Sequence, residues 1–503
     1  MFSVFFASDR SSSGKSMITM AFSSKVKELG YGVDVFKAGP DFIDPIAISK
    51  AVKTEVKNLD PFLIPARFLN SWVFNGDGDI GCTGGLNKER AFIVEGAMGL
   101  YDGNSYRIAE NFKLPVVLVM DSKRISSTMA SLVYGLKNYK KGVNVCGVVL
   151  NNISSARHYE IIFDEIKENV KDIEIFGYVL NDERVFSIKE RHLGLTVQVT
   201  QNPEEAGKVF EKIISNIKDE VFRNIDINLM IRTLERESNG FNNLFFNYIR
   251  QVKNTRFKPK NNSGALVKKK NNTKVKVAVA FDKAFFFYYN FNFEILKSFG
   301  AEIVFFSPLS DKIIPKGVRM IYIGGGYPEI YAKNLAENHA ILSEVYKFFE
   351  NNGIIYAECG GLMYLSGCLT YKGESWDLSG ILPFNVTMDN TRLSLGYRKV
   401  YLRERSFLGD KGLRVNGHEF HYSEIIMDKR NVNQYTYGNN GTDSPKENSA
   451  GFRNIFECEN PACPGILKKE GYNVLNAVGS YIHLSFFSNK LIAKNMIDNA
   501  KMA

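Results

Sequence analysis

The sequence predicts an α/β protein of two units, each built around a mostly parallel sheet. Short β-branched or aromatic runs alternate with longer segments of helical spacing, and this alternation occurs twice along the chain. A length of 503 residues also exceeds the ~100–200 residues of one ordinary domain. Alternating strands and helices are typical of parallel sheets that helices cover on both faces.

The first unit is predicted over residues 1–215. Its predicted strands are Phe2–Ala7, Val33–Lys37, Ala91–Val94, Val116–Met120 and Val145–Leu150. Its clearest helical segments are Ser16–Leu29 and His158–Val170. These short runs are rich in β-branched and aromatic residues, which is typical of buried strands in a parallel sheet.

The second unit is predicted over residues 276–503. Its predicted strands are Val275–Phe281, Glu302–Phe306, Met320–Ile323 and Gly353–Ala357, and its helices are Asn292–Phe299 and Ala340–Asn351. Residues 216–275 are predicted to connect the units through a helical stretch, Ile217–Val252, and a linker, Lys253–Lys276. Asn431–Asn454, rich in Asn, Gly and Ser, is predicted to be a surface insertion.

The net charge of +10 first suggests a polyanionic partner. However, Lys253–Lys276 holds nine basic and no acidic residues, and without these nine the net charge of the chain is +1. Since basic residues are not interleaved with aromatics elsewhere, we expect no nucleic-acid partner. No run approaches the ~18 apolar residues of a membrane helix, the first residues do not resemble a signal peptide, and the six cysteines form no C-x-x-C pair. These features predict a cytoplasmic protein without a membrane partner.

A predicted phosphate-binding loop follows the first strand. Ser8-Asp-Arg-Ser-Ser-Ser-Gly-Lys-Ser16 joins a strand to a helix, so backbone N–H groups and a lysine can face an anion. The nucleotide-binding candidates are Ser12, Ser13, Gly14, Lys15 and Ser16. The alternative is a Ser-rich turn with an N-cap. Asp9 and Ser12 replace glycines of the common pattern, which costs strain if either needs a positive φ.

Charged side chains follow the next two predicted strands, and ligands of open α/β sheets bind beyond such strand ends. The candidates for one shared crevice are Lys37, Asp41, Asp44, Glu95 and Asp102. Hydroxyl and carboxylate oxygens suit Mg²⁺, so the predicted metal ligands are Ser16, Asp41 and Glu95. The alternative is that Asp41 and Asp44 only cap a turn.

A cysteine nucleophile is predicted at Cys359. A strand, the cysteine, two glycines and a helix form a strained turn that exposes the sulfur and favours the thiolate. The alternative is an inert buried cysteine, the commoner state of this residue. Backbone N–H groups of Gly325, Gly326 and Gly360 are predicted to form an oxyanion hole. The base must be one of six histidines, which are His158, His192, His339, His418, His421 and His483.

The sequence resembles the cobyrinic acid a,c-diamide synthase family, which includes nickel-sirohydrochlorin a,c-diamide synthases. The matching segments are Phe36–Pro45, Asn58–Pro61, Glu95–Gly103, Arg191–Leu195, Phe287–Tyr289, Tyr322–Glu329, Tyr356–Tyr364, Gly417–Ser423 and Ser480–Leu484. They occur in order and span nearly the whole chain.

The resemblance implies a dethiobiotin-synthetase-like P-loop domain joined to a class I glutamine amidotransferase-like domain. It implies amidation of the a and c carboxylates of a tetrapyrrole polycarboxylate, with ATP, Mg²⁺ and glutamine, through an acyl phosphate. Cobyrinic acid is the expected substrate and nickel sirohydrochlorin the alternative. A P-loop ATPase switch or scaffold is the non-enzyme alternative, and homodimer formation stays open.

The resemblance also suggests roles for particular residues. It implies that His483 is the base of Cys359 and that Asn151 lies on the adenine side. Lys37, Phe42, Asp44 and Asp102 are assigned to substrate binding or amidation, with Phe42 where the family often has Tyr. Ser485 stands where many glutaminases have the glutamate that orients the histidine, so the orienting residue is unidentified.

Overall fold

A computed structural model describes residues 1–74, 89–103, 105–181, 203–256, 274–427 and 452–503. The chain forms two compact units, Met1–Pro61 with Ala66–Gly264 and Phe62–Pro65 with Ala265–Ala503. The Arg191–Leu195 match with His192, most of the Lys253–Lys276 linker and nearly all of the Asn431–Asn454 insertion lie outside the described residues.

The first unit contains a parallel sheet of seven described strands. They are β1 (Phe2–Ala7), β2 (Gly32–Ala38), β3 (Val56–Leu59), β4 (Arg90–Glu95), β5 (Val116–Asp121), β6 (Val145–Ile153) and β7 (Glu174–Leu180). Their order is β3-β2-β4-β1-β5-β6-β7, and each neighbouring pair runs parallel. The carboxyl ends of β1, β2 and β4 therefore meet at one edge, where the predicted phosphate loop and acidic residues lie.

Helices surround this sheet. They are α1 (Lys15–Glu28), α2 (Asp44–Val52), α3 (Ala66–Phe74), α4 (Ser105–Phe112), α5 (Thr128–Asn138), α6 (Ala156–Asn169), α7 (Pro203–Val221), α8 (Ile227–Glu237) and α9 (Asn239–Arg256). Ile217, Val221 and Leu234 are buried in one core with β1 and α1. The helical stretch expected to connect the units therefore packs, at these positions, into the first core.

The second unit contains a sheet of ten described strands in the order β10-β8-β11-β13-β22-β21-β20-β17-β18-β23. Its strands and those of two small accessory sheets are β8 (Val275–Ala280), β9 (Phe285–Phe287), β10 (Ala301–Phe306), β11 (Val318–Ile323), β12 (Gly325–Gly326), β13 (Ile354–Glu358), β14 (Cys368–Tyr371), β15 (Glu374–Asp377), β16 (Asn385–Thr387), β17 (Ser394–Leu402), β18 (Arg414–His421), β19 (Glu424–Ile426), β20 (Phe452–Glu459), β21 (Leu467–Val474), β22 (Ala477–Ser480) and β23 (His483–Leu484).

This large sheet changes character along its width. From β10 to β22 neighbouring strands are parallel, and from β22 to β23 they are antiparallel. The helices of the unit are α10 (Asn290–Ser298), α11 (Ala332–Glu337), α12 (His339–Glu350), α13 (Gly360–Leu365) and α14 (Leu491–Met502), with a 3₁₀ turn at Pro328–Tyr331. The sheet brings β13, which precedes the predicted nucleophile, beside β22.

The nine strands predicted in the two units are present within three residues of their expected ends. The expectation missed β3, β7 and the antiparallel half of the second sheet, where apolar and polar residues alternate or strands are short. The predicted linker is shorter than Lys253–Lys276, because α9 continues to Arg256 and β8 begins at Val275. The domain bounds 1–215 and 276–503 stay predictions. Among the helices that the structure describes, none combines the length and apolar character needed to cross a membrane.

Replacing Leu234 by Ala tests the packing of α8 into the first core. Since Leu234 is fully buried there, the cavity should lower the free energy of unfolding by about 2–5 kcal/mol. Arg232→Ala, an exposed change on the same helix, should cost less than about 0.5 kcal/mol. Urea unfolding followed by Trp72 fluorescence in a Trp376→Phe background reports on the first unit, since the chain has two tryptophans. Equal losses in both variants would contradict this packing.

Candidate active sites

The phosphate loop connects β1 to α1 through two residues with a left-handed backbone. Gly14 has a φ of 94° and Ser12 a φ of 60°. A non-glycine residue in this region costs about 1–2 kcal/mol, so the strain anticipated at Ser12 is present. Asp9, the other replaced glycine, does not have a positive φ. Its carboxylate instead accepts hydrogen bonds from Ser13 and Arg10 within the loop.

Lys15 is buried under this loop, and its ammonium group is hydrogen-bonded both to the loop and to the segment after β4. Its Nζ donates to Ser8 Oγ at 2.6 Å, to the Arg10 carbonyl at 2.9 Å and to the Met98 carbonyl at 2.8 Å. The three acceptors surround the ammonium group and hold it at the carboxyl end of the sheet. This arrangement places a positive charge where a bound phosphate group would meet the backbone N–H groups of the loop.

Asn151 packs against the phosphate loop and is hydrogen-bonded to it. Its Nδ2 donates to the Ser13 carbonyl at 3.0 Å, and a Cβ added to Gly14 would lie 2.2 Å from the same atom. The side chain therefore packs beneath the phosphate loop, and its adenine-side role stays a prediction. The neighbouring Asn152 lines a cavity of about 430 Å³ with Lys123, Arg124 and His158 beyond the ends of β5 to β7.

Lys37 joins the predicted acidic residues into one cluster. Its Nζ lies 2.5 Å from Asp44 Oδ2, 2.7 Å from Glu95 Oε1 and 3.6 Å from Asp41 Oδ2. Asp41 also caps the start of α2, because its Oδ1 accepts from the backbone N–H of Asp44 at 3.2 Å. The capping alternative is thus true of Asp41, but both aspartates also face the lysine.

The cluster shifts the pKa values of its members in opposite directions. Burial would lower the pKa of Lys37, but the charges of Glu95, Asp44 and Asp41 raise it well above its usual value. Burial raises the pKa of Glu95, which Lys37 partly offsets. Burial also opposes ionisation of Asp44, but Lys37 brings its pKa below the usual value. The lysine therefore remains charged among the carboxylates.

The residues at Glu95 fit a magnesium ion. Ser16 Oγ donates to Glu95 Oε1 at 2.6 Å, while the buried Oε2 accepts no hydrogen bond from the described chain. Within the described ranges, no three His, Cys, Asp or Glu side chains can hold a metal by themselves. Mg²⁺ at phosphate sites, however, needs only one or two carboxylates besides phosphate and water.

The other two substrate candidates differ in position. Phe42 is half-buried and follows Asp41 directly. Asp102 is exposed, and its Oδ2 accepts from the backbone N–H of Gly99 at 3.1 Å. The structure therefore gives Asp102 a local turn contact, while its described contacts do not join it to Lys37.

In the second unit, Cys359 occupies a strained turn between β13 and α13. Its φ of 51° and ψ of −107° are rare for a non-glycine residue. Its N–H donates to the Ser480 carbonyl at 2.7 Å, and its Sγ lies 3.8 Å from the Phe420 carbonyl oxygen. The strained turn predicted at Cys359 is therefore present. Backbone strain of this kind is often found at functional sites.

The predicted oxyanion glycines surround this elbow. A Cβ on Gly325 would lie 2.6 Å from His483 Cε1 and 3.2 Å from Cys359 Cβ. A Cβ on Gly360 would lie 3.2 Å from the backbone nitrogen of Gly326. These residues are in close contact because they lack side chains. Their part in stabilising an oxyanion stays a prediction.

His483 is buried beside Cys359, as predicted. Burial alone would lower the pKa of its imidazole, but the interaction with Cys359 and the nearby carboxylate of Glu358 raise it to about 9. His483 Nδ1 lies 3.6 Å from Glu358 Oε2. The imidazole is therefore held between a cysteine and a carboxylate, the arrangement that a thiolate–imidazolium pair requires.

The remaining histidines of this unit have other environments. His418 pairs with His483 across β18 and β23, and burial lowers its pKa to about 3. The His421 ring stacks on Tyr481 with centroids 3.8 Å apart. Ser485 does not orient His483, since its Oγ donates to the Leu63 carbonyl at 2.6 Å.

Two family models match the chain in sequence order. The CobQ/CobB/MinD/ParA nucleotide binding domain matches residues 4–196, and the CobB/CobQ-like glutamine amidotransferase domain matches residues 276–491. A cobyrinate a,c-diamide synthase of Caldanaerobacter subterraneus subsp. tengcongensis is 32% identical, covering 98% of this chain and 97% of the relative. The chain belongs to the cobyrinate a,c-diamide synthase family.

Further family members give the same result. A synthase of the same name from Picrophilus torridus is 33% identical over 94% of this chain and 99% of its own length. Another from Dehalococcoides mccartyi is 31% identical over 98% of this chain and 96% of its own length. The predicted fold class is confirmed, and the chain is an enzyme, a glutamine-dependent ligase with a nucleotide-binding domain. The full-length similarity to synthases gives no support to the switch or scaffold alternative.

The structure also identifies residues in this family member that the sequence analysis missed. Glu358 is the last residue of β13 and precedes Cys359, and its Oε2 lies 3.6 Å from His483 Nδ1. Asn152, the neighbour of the predicted Asn151, lines the cavity, and its Nδ2 donates to Asp121 Oδ1 at 2.8 Å. A charged residue at the end of an otherwise apolar strand was the available signal for Glu358.

Gly14→Ala should disrupt the phosphate loop, because its Cβ would displace Asn151 Nδ2. We expect MgATP affinity to fall at least about 10-fold, measured by titration calorimetry with a non-hydrolysable analogue. Gly30→Ala is the matched control, since Gly30 has nearly the same φ, 95°, but no atom within 4 Å of the added Cβ. Its affinity should stay within about twofold of the unmodified chain. Equal affinities in the two variants would argue against the contact.

Proposed function

We propose that this chain converts cobyrinic acid to cobyrinic acid a,c-diamide with ATP and glutamine. One observation carries the proposal: a single chain has a phosphate loop beside a lysine–carboxylate cluster and also a cysteine elbow beside a buried histidine. The first arrangement suits carboxylate activation and the second suits ammonia release from glutamine. The names of the full-length relatives support cobyrinate as the substrate.

The first unit activates the substrate carboxylate. An oxygen of that carboxylate attacks the γ-phosphorus of ATP, which forms an acyl phosphate and releases ADP. Phosphoryl transfer depends on positioning and on neutralising charge at the phosphates, and Lys15 supplies a buried positive charge at the loop. Lys37 supplies a second charge beside Asp44, where an incoming carboxylate can be oriented. Ammonia then attacks the acyl carbon, phosphate leaves and the amide forms.

Ser16 and Glu95 are the side chains that would hold magnesium, with Asp41 beside them. A bound Mg²⁺ would neutralise charge on the phosphate oxygens. The orphaned Oε2 of Glu95 supports this assignment. The cavity lined by Asn152 and His158 has room for a nucleoside, within the usual range of ligand pockets.

The second unit produces the ammonia. The Cys359 thiolate attacks the side-chain carbonyl carbon of glutamine, and backbone N–H groups around Gly325 and Gly360 stabilise the resulting oxyanion. His483, whose pKa is about 9, holds the proton that ammonia takes as it leaves. A water molecule then attacks the thioester, with the neutral imidazole as base, and glutamate is released with the thiolate restored.

Incubation with two tetrapyrroles in parallel tests the substrate. The purified chain, ATP, Mg²⁺ and glutamine should convert cobyrinic acid to a product with two amides, detected by mass spectrometry, and nickel sirohydrochlorin should react much more slowly. Isotope-labelled amide nitrogen of glutamine should appear in the product. Faster amidation of nickel sirohydrochlorin would replace the proposed substrate, and no amidation of either would reject the function.

Cys359→Ser and Lys15→Ala should separate the two half-reactions. Cys359→Ser loses the sulfur nucleophile, so glutamine-supported amidation should fall at least about 10³-fold while ammonia-supported amidation remains within about twofold. Lys15→Ala loses the charge at the phosphates, so amidation should fall at least about 10²-fold with either nitrogen source.

Each variant is the control for the other in the same assay. Loss of ammonia-supported activity in a folded Cys359→Ser protein would contradict the division of labour. Retained amidation in Lys15→Ala would contradict the assignment of the phosphate loop.

A further inference from the structure

We infer that Glu358 is the positioning residue of the glutaminase site, holding the His483 imidazole in the orientation that serves Cys359. This inference rests on the proposed glutaminase function. His483 Nδ1 lies 3.6 Å from Glu358 Oε2, and both side chains are almost completely buried, at 2% and 1% exposure. The carboxylate thus approaches Nδ1 of the imidazole inside the protein.

Glu358 itself is held by three donors from three different elements. Tyr322 Oη on β11 donates to its Oε2 at 2.7 Å, and Tyr356 Oη on β13 donates to its Oε1 at 2.7 Å. The backbone N–H of Leu484 donates to Oε1 at 2.9 Å. A buried charge is tolerated only with such partners. Since all three are donors, the carboxylate can accept from each and still face the imidazole.

The hydrogen bond from the Leu484 N–H connects Glu358 to the backbone beside both catalytic residues. Glu358 is covalently attached to Cys359, and Leu484 is covalently attached to His483. One side chain therefore fixes the spacing between the elbow after β13 and the strand β23. A glutamate two residues beyond the histidine cannot provide this link, and Ser485 at that position is bonded to the Leu63 carbonyl.

The other groups around His483 are poor candidates for this role. Cys359 is the reacting partner. His418 faces it across the strand pair and repels an imidazolium charge when protonated. The Tyr289 ring meets the imidazole edge-on with centroids 6.5 Å apart. Glu358 is an acidic side chain within salt-bridge distance of His483.

Glu358→Gln is the decisive variant. It keeps the shape of the side chain but removes its charge and presents an amide to Nδ1, so the imidazole loses its orientation and its proton becomes more acidic. We expect kcat/KM for glutamine hydrolysis to fall about 10²–10⁴-fold. The pKa of about 9 for His483 predicts an alkaline limb near that pH in the unmodified chain, and in Glu358→Gln this limb should move to lower pH. Ammonia-supported amidation should be unchanged.

Two further variants distinguish positioning from a purely structural role. Glu358→Asp keeps the charge at a greater distance, so it should lose rate but keep its alkaline limb within about half a pH unit. Glu470→Gln is the matched control, because this buried glutamate bonds Ser480 and the Tyr481 N–H instead of His483. It should leave the alkaline limb in place.

The outcomes are separable. Glutamine hydrolysis by Glu358→Gln within threefold of the unmodified chain, with the same alkaline limb, would overturn the inference. If Glu358→Gln does not fold, Glu358→Asp decides, and a displacement of its alkaline limb by more than about half a pH unit would overturn the inference. Absence of glutamine hydrolysis in the unmodified chain, with ATP and tetrapyrrole present, would reject the proposed function instead.

Discussion

Parallel pairing of strands is the constraint on which both sites depend. In a parallel sheet every strand delivers its carboxyl end to the same edge, whatever the distance in sequence between the strands. In the first unit β1, β2 and β4 are neighbours, so residues as far apart as Ser16 and Glu95 come within hydrogen-bond distance. In the second unit β13 lies beside β22, so the cysteine turn meets the segment that leads to the histidine.

Close backbone approach is the second requirement, and the glycines of the two sites satisfy it in different ways. Gly14 is needed for its positive φ and for the space that Asn151 fills. Gly325 is needed because His483 and Cys359 occupy the volume of a side chain there. Ser12 and Cys359 adopt a positive φ without being glycine, so both sites contain backbone strain beside the groups that they present.

The sequence was sufficient for the features that depend on local pattern. Short β-branched and aromatic runs predicted the buried parallel strands, and the residue types at their ends suggested Lys15, Lys37, Glu95 and Cys359 as site candidates. It was insufficient where polar and apolar residues alternate in half-exposed strands, as in Leu467–Val474. Pairs separated by more than a hundred residues also leave no local signal. The hydrogen bond between Glu358 and Leu484 is such a case, since only the folded sheet brings them together.

The three hydrogen bonds of Lys15 have a consequence for ligand selectivity. The Lys15 ammonium group has these acceptors within its own chain, so an anion that binds it must replace them. A small anion such as inorganic phosphate offers few new contacts in exchange and competes poorly for the ammonium group. A triphosphate reaches the loop, the lysine and the acidic cluster simultaneously and can exceed that cost. The bonded lysine thus favours anions that make many contacts with the site over anions that make few.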